Sequence, residues 1–148
     1  MKTDYSTLGE ASLRRLSETT KNAYRIQDEL LANLMKTNRD TEYGRKYDFA
    51  HIASMKEYRE KVPVTRYKDY DKYVERMLGG ENSILTKAPA VFYSISSGST
   101  GAPKYVPVTD ADMAMHYWYA YGAIFGMVRE YYQELSPERI FGKLFQTG

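Results

Sequence analysis

The chain has 148 residues, with 21 lysines and arginines against 19 acidic residues, a net charge of +2 and no cysteine. The near balance of charge argues against a nucleic-acid-binding module with its clustered basic face, and the missing thiols exclude disulfide scaffolds, cysteine-based zinc sites and thiol catalysis. His51 and His116 are too few for a multi-histidine metal centre, and 43% hydrophobic with 27% charged residues describes a globular chain with room for one ordinary domain.

Met1 to Leu16 is polar and charged with no apolar stretch after it, so no secretory signal is expected and the expected compartment is the cytoplasm. From Ser12 to about Thr37, Leu13, Leu16, Ala23, Ile26, Leu30, Leu31 and Leu34 recur at helical spacing. This predicts one amphipathic helix, capped at Ser12 and stopped at Asn38. Asn38 to Phe49 reads as a polar, tyrosine-bearing loop hinged at Gly44. Ser54 and Glu57 have capping-box spacing, which predicts a short helix ended by Pro63. A further helix is expected from Tyr67 to Leu78, with Tyr70, Tyr73, Val74, Met77 and Leu78 inward and Gly79-Gly80 as its stop.

After Gly80 the character changes. Val91 to Ile95 is a short β-prone run, and Lys104 to Val108 is extended, with Pro107 forcing an edge or a strand end. Thr109 then caps a long helix from Asp110 to about Glu134, with Asp112 at the capping-box position. Its apolar run, Tyr117 to Val128, spans about a dozen residues, short of the roughly 20 that a membrane helix needs. Met113, Met115, Trp118, Tyr119, Tyr121, Ile124, Phe125, Met127 and Val128 surround this helix, so it expects neighbours on several sides. Ser136-Pro137-Glu138 opens another element, and Ile140 to Phe145 is apolar again. Two strands alone make a poor sheet. The expected fold is therefore α/β and helix-rich, residues 1–148 forming a single region that is an incomplete piece of a larger domain.

One segment has a specific chemical reading: Ser96-Ser97-Gly98-Ser99-Thr100-Gly101-Ala102-Pro103-Lys104. Phosphate oxygens need several donors converging on a small volume. Gly98 and Gly101 allow close backbone approach, with N–H groups that can form an anion nest. The hydroxyls of Ser96, Ser97, Ser99 and Thr100 add neutral donors, and Lys104 adds a flexible cation. Neither the Walker A pattern nor the Rossmann glycine fingerprint is present.

The pattern of two hydroxyl residues, glycine, two hydroxyl residues, glycine, any residue, proline and lysine resembles the phosphate-loop signature of the adenylate-forming superfamily. Its flanks narrow the resemblance. They run from Thr41-Glu42-Tyr43-Gly44-Arg45-Lys46-Tyr47-Asp48-Phe49 through Val62-Pro63-Val64-Thr65-Arg66-Tyr67 and Tyr70-Asp71-Lys72-Tyr73-Val74-Glu75-Arg76-Met77 to Gly80-Glu81-Asn82-Ser83-Ile84-Leu85-Thr86 and Lys104-Tyr105-Val106-Pro107-Val108-Thr109. In that order they look like the N-terminal region of the auxin-responsive acyl-acid-amido synthetases, the Gretchen Hagen family and its bacterial relatives. The loop keeps the shorter form general to adenylate-formers, without the extra residue these synthetases usually carry before the lysine, and has Ser99 where they usually have threonine.

The resemblance implies an ATP-dependent ligase that activates a carboxylic acid as an acyl adenylate and passes it to an amino acid as an amide. It implies Ser96, Ser97, Gly98, Ser99, Thr100, Gly101 and Lys104 as contacts of the ATP phosphates, Lys104 being either the cationic contributor or a brace for the loop. Mg2+ is expected with ATP, though no carboxylate cluster offers itself as its ligands. The implied partners are the small acid and the amino acid, with neither nucleic acid nor membrane. In such enzymes the adenine site, the metal carboxylate and the mobile C-terminal lid lie further along than Gly148, so the chain alone is expected to be inactive. Two alternatives remain open, an acyl-CoA ligase and a non-catalytic fragment that docks on a partner chain.

Overall fold

A computed structural model of the protein describes residues 5–96 and 102–132. The chain divides into two compact units, one drawn from Met1–Ala23 with Ala111–Gly148 and the other comprising Tyr24–Asp110.

The predicted first helix is two. α1 spans Tyr5–Lys21 and α2 spans Ala23–Asn38, with Asn22 between them. The apolar spacing runs through this point, but the side chains there compete for the backbone. Thr19 donates to the carbonyls of Arg15 and Leu16, Thr20 to those of Leu16 and Ser17, and Asn22 Nδ2 to that of Glu18, at 2.9–3.0 Å. Such back-bonding bends and interrupts helices. The single apolar face fails accordingly: Leu31 is buried, whereas Leu30 and Leu34 are exposed, and Met35 takes the second core position on α2.

In the first unit, α1 packs against a helical segment made of a π-helical stretch, His116–Gly122, and α7, Ala123–Tyr131. The wider π turns shift the helical phase relative to α6, Asp110–Met115. Small residues make the crossing close, because a Cβ on Gly126 would run into the Gly9 carbonyl and Leu13, and one on Gly122 into the Ser12 hydroxyl. Ser12 is thus no cap. It lies inside α1, 1% exposed, and its Oγ has no hydrogen-bond partner among the described residues. Removing a buried, unsatisfied hydroxyl is favourable. Ser12→Ala is therefore expected to stabilise the protein by about 1 kcal/mol, read as a higher denaturant midpoint at unchanged slope; a lower midpoint would mean that the hydroxyl is bonded after all.

The perimeter of this helical segment remains apolar where α1 does not cover it. Phe125 and Ala123 are buried, but Met113, Met115, Tyr117, Tyr121, Ile124 and Met127 are exposed. Where neighbours are expected on several sides, the described residues supply one, α1, on a single side. The elements expected beyond Ser136 lie outside the described residues.

In the second unit, α2, α3 (Glu42–Lys46), a 3-10 turn at Phe49–His51 and α4 (Met55–Lys61) surround a core of Leu31, Met35, Tyr43, Phe49, Ile52 and Val62. Asn38 to Phe49 is not the expected loop. Thr41 caps α3 by accepting the Gly44 N–H at 2.9 Å, and Gly44 is a buried packing point rather than a hinge. α4 forms where the Ser54 and Glu57 spacing predicts it: Ser54 Oγ accepts the Glu57 N–H at 3.2 Å, while Glu57 accepts from the Ala53 N–H at 2.7 Å, one residue ahead of the N–H that a capping box uses. It ends at extended Val62, just before Pro63.

The segment Tyr67–Leu78 divides into a 3-10 turn, Tyr67–Tyr70, and α5, Asp71–Leu78. Val74 and Met77 are buried as predicted, whereas Leu78 is exposed. β1, Phe92–Ile95, pairs antiparallel with β2, Tyr105–Val108, in the register Phe92 to Val108 and Ile95 to Tyr105. β2 also packs along α5.

Candidate functional site

The hairpin stem is built so that its proline does no harm. The N–H and C=O of Tyr105 both turn away from β1 toward a side chain, and strand alternation gives Pro107 the same outward orientation. The donor that Pro107 lacks is thus one the ladder would not use.

The stem continues one step beyond the strands. Ser96 N–H donates to the Lys104 carbonyl at 3.0 Å, and Lys104 N–H donates to Ser96 Oγ at 3.1 Å. The first and last residues of the expected phosphate loop therefore close its mouth on one another. Ser96 keeps its own hydroxyl proton free to donate. Ser97, Gly98, Ser99, Thr100 and Gly101 lie outside the described residues.

Lys104 is exposed and forms no ion pair among the described residues. Its Nζ sits 5.8 Å from the centre of the Tyr67 ring. The Tyr67 hydroxyl accepts the Tyr105 N–H at 2.8 Å and donates to the Tyr105 carbonyl at 3.0 Å. Tyr67 was not among the residues that the sequence pointed to. It lies far along the chain from Lys104, and the sequence offers it only as the start of a helix.

Behind Tyr67 stands a tyrosine cluster. Tyr70 shares hydrogen bonds with Thr65 at 2.6 Å and with Tyr43 at 3.1 Å. Burial, and then the bond to Tyr70, push the Tyr43 phenol far above its ordinary range, so it stays protonated. Lys46 donates to the Tyr73 hydroxyl at 3.0 Å, and that bond raises its pKa. His51 pairs through Nδ1 with Asp48 at 2.6 Å, and Lys61 reaches the other Asp48 oxygen at 2.9 Å. His51 first, then Lys61, hold the Asp48 carboxyl below the usual carboxylate range.

Below the 80–90 segment a cavity of about 130 Å3 is lined by Met77, Ser83, Thr86, Pro89 and Tyr93 among others. At roughly 30 Å3 per water it holds a few waters, not a nucleotide. Among the described residues, no group of three His, Asp or Glu side chains is arranged to hold a metal ion, and no helix is long and apolar enough to cross a membrane.

Known proteins share this framework. The chain is 33% identical over 73% of its length to the indole-3-acetic acid-amido synthetase GH3.3 of Arabidopsis thaliana, covering 18% of that protein. It is likewise 33% identical over 68% of its length to the jasmonoyl-L-amino acid synthetase JAR6 of Nicotiana attenuata, again covering 18%. The solved structure of AtGH3.15 acyl acid amido synthetase in complex with 2,4-DB superposes with a TM-score of 0.66 at 32% identity, over 78% of this chain and 20% of that one. The helix-rich fold with its small two-stranded sheet is thus that of the N-terminal part of such a synthetase, and the chain spans about a fifth of the length of the relatives it matches. Residues 12–146 match the GH3 family N-terminal domain, and the chain belongs to that family.

Proposed function

We propose that this chain supplies the triphosphate-gripping part of an ATP-dependent acid–amino acid ligase. A carboxylate oxygen of the acid attacks the α-phosphorus of ATP, forming an acyl adenylate and expelling pyrophosphate. The amine of an amino acid then attacks the acyl carbon, loses its proton, and leaves an amide and AMP. The observation that carries the reading is the Ser96–Lys104 pattern set on a hairpin whose mouth those two residues close. Ser97, Gly98, Ser99, Thr100 and Gly101 would present donors to the β- and γ-phosphates, with Ser96 and Lys104 at the rim. Catalysis by such a loop is positioning together with stabilisation of the charge on the departing pyrophosphate. Mg2+ would accompany the triphosphate, and no described residue is assigned to it.

The relatives' names support the acid–amino acid chemistry, and the balanced charge suits small-molecule substrates rather than nucleic acid. Residues 1–148 are read as the N-terminal part of a larger adenylating domain. The full-length protein, given ATP, Mg2+, a panel of aryl and alkyl acids and an amino acid mixture, should yield an amide, AMP and pyrophosphate. The 148 residues alone should catalyse no ATP–pyrophosphate exchange. A thioester formed when coenzyme A is supplied, or ADP in place of AMP, would replace the proposal by another ligase class; no ATP consumption with any acid, together with a co-purifying partner, would point to a docking fragment.

A further inference from the structure

We infer that Tyr67 is a positioning residue for the phosphate loop, fixing the strand that leaves the loop and resting the Lys104 ammonium on its ring. This deepens the ligase reading and rests on it. A two-stranded hairpin is marginal alone, and β2 presents backbone groups on its outer side. At Tyr105, the first residue of β2 and the neighbour of Lys104, one phenol satisfies both groups: its oxygen accepts the N–H at 2.8 Å and its proton goes to the carbonyl at 3.0 Å. A tyrosine hydroxyl is suited to this because it donates and accepts at once.

The phenol is itself held in place. Tyr67 opens the 3-10 turn, which Asp69 locks by accepting the Arg66 N–H at 2.7 Å. Tyr70 at the other end of the turn is bonded to Thr65 and, in the core, to Tyr43. The buried tyrosine core thus reaches β2 through a short rigid turn. The Tyr67 ring then faces Lys104 Nζ, 5.8 Å from its centre, within range of a cation–π attraction. One side chain sets both the backbone that carries Lys104 and the resting place of its charge, which limits where the ammonium can travel when a triphosphate arrives.

ATP–pyrophosphate exchange by the full-length protein tests this, with Tyr67→Phe, Tyr67→Leu, Lys104→Ala and the Tyr67→Phe/Lys104→Ala double variant. Tyr67→Phe keeps the ring and loses both hydrogen bonds. It should raise KM for ATP about fivefold while leaving KM for the acid unchanged, a split that general loosening of the fold does not produce. Tyr67→Leu should raise it further. In the Lys104→Ala background, Tyr67→Phe should have a smaller effect than in the wild type, because its effect passes through that lysine. If Lys104→Ala impairs exchange but Tyr67→Phe leaves KM for ATP at the wild-type value, the Tyr67 role is wrong and the phosphate loop stands. If neither variant changes exchange, both fall. If the leucine variant does not fold, the phenylalanine variant decides alone.

Discussion

Lys104→Ala in the full-length protein should lower kcat/KM for ATP about a hundredfold, the scale of removing one preorganised donor from a developing anionic charge. Its thermal midpoint should hardly move. Both expectations come from what Lys104 does and does not do in the fold. The backbone of Lys104 is committed to Ser96, a role that alanine fills equally well. Its side chain is exposed, forms no ion pair among the described residues, and lies over the Tyr67 ring at 5.8 Å from its centre, a contact of modest strength. A cation at the mouth of a hydroxyl- and glycine-rich loop, with no counter-charge among the described residues, is available to a ligand. Lys104→Arg keeps the charge but alters its reach and geometry, and should recover only part of the activity. The measurement is pyrophosphate exchange over a range of ATP concentrations, paired with melting curves. A variant that exchanges normally but melts early would make Lys104 a brace for the hairpin.

What could be read in the sequence followed the distance over which each interaction acts. The hairpin, α4 and the ends of α2 and α5 depend on neighbours a few residues away: β-prone runs, Ser54 with Glu57, Asn38, and Gly79-Gly80. The break at Asn22 is equally local, but apolar periodicity is blind to it, since Thr19, Thr20 and Asn22 interrupt the helix through hydroxyl and amide bonds that leave the apolar spacing intact. His51 finds Asp48 three residues earlier, a pairing that spacing could have offered. Tyr67 is different. Its partner lies 38 residues away, and nothing in an isolated Thr65-Arg66-Tyr67 indicates that this phenol meets the stem of the loop. The run of hydroxyls and glycines can be picked out in the sequence by composition alone, while the contact of Tyr67 with Tyr105 and Lys104 needs β2 placed beside the turn.

Gly44→Ala is the substitution expected to damage the fold most, by about 3 kcal/mol, at the upper end of overpacking costs. The reason is the knot joining Asn38, Thr41 and Gly44. Thr41, fully buried, donates its hydroxyl to the Asn38 carbonyl at 2.7 Å and its N–H to the same oxygen at 3.0 Å, while accepting the Gly44 N–H. That carbonyl oxygen therefore cannot retreat without breaking two bonds, and it lies where a Cβ on Gly44 would be. Clashes against the tips of flexible side chains relax cheaply, but this one meets backbone. The knot also holds the approach to the hairpin, because the N–H groups of Glu42 and Tyr43 donate to the Ser83 and Ile84 carbonyls and Asn38 Oδ1 accepts the Lys87 N–H. Equilibrium denaturation should show a midpoint lowered at unchanged slope, and Thr41→Ser, which preserves every hydrogen bond of the knot, should cost far less. A Gly44→Ala protein with the wild-type midpoint would mean that α3 and the end of α2 do not approach this closely, and the rigid seat from which the loop-bearing hairpin rises would be lost with that contact.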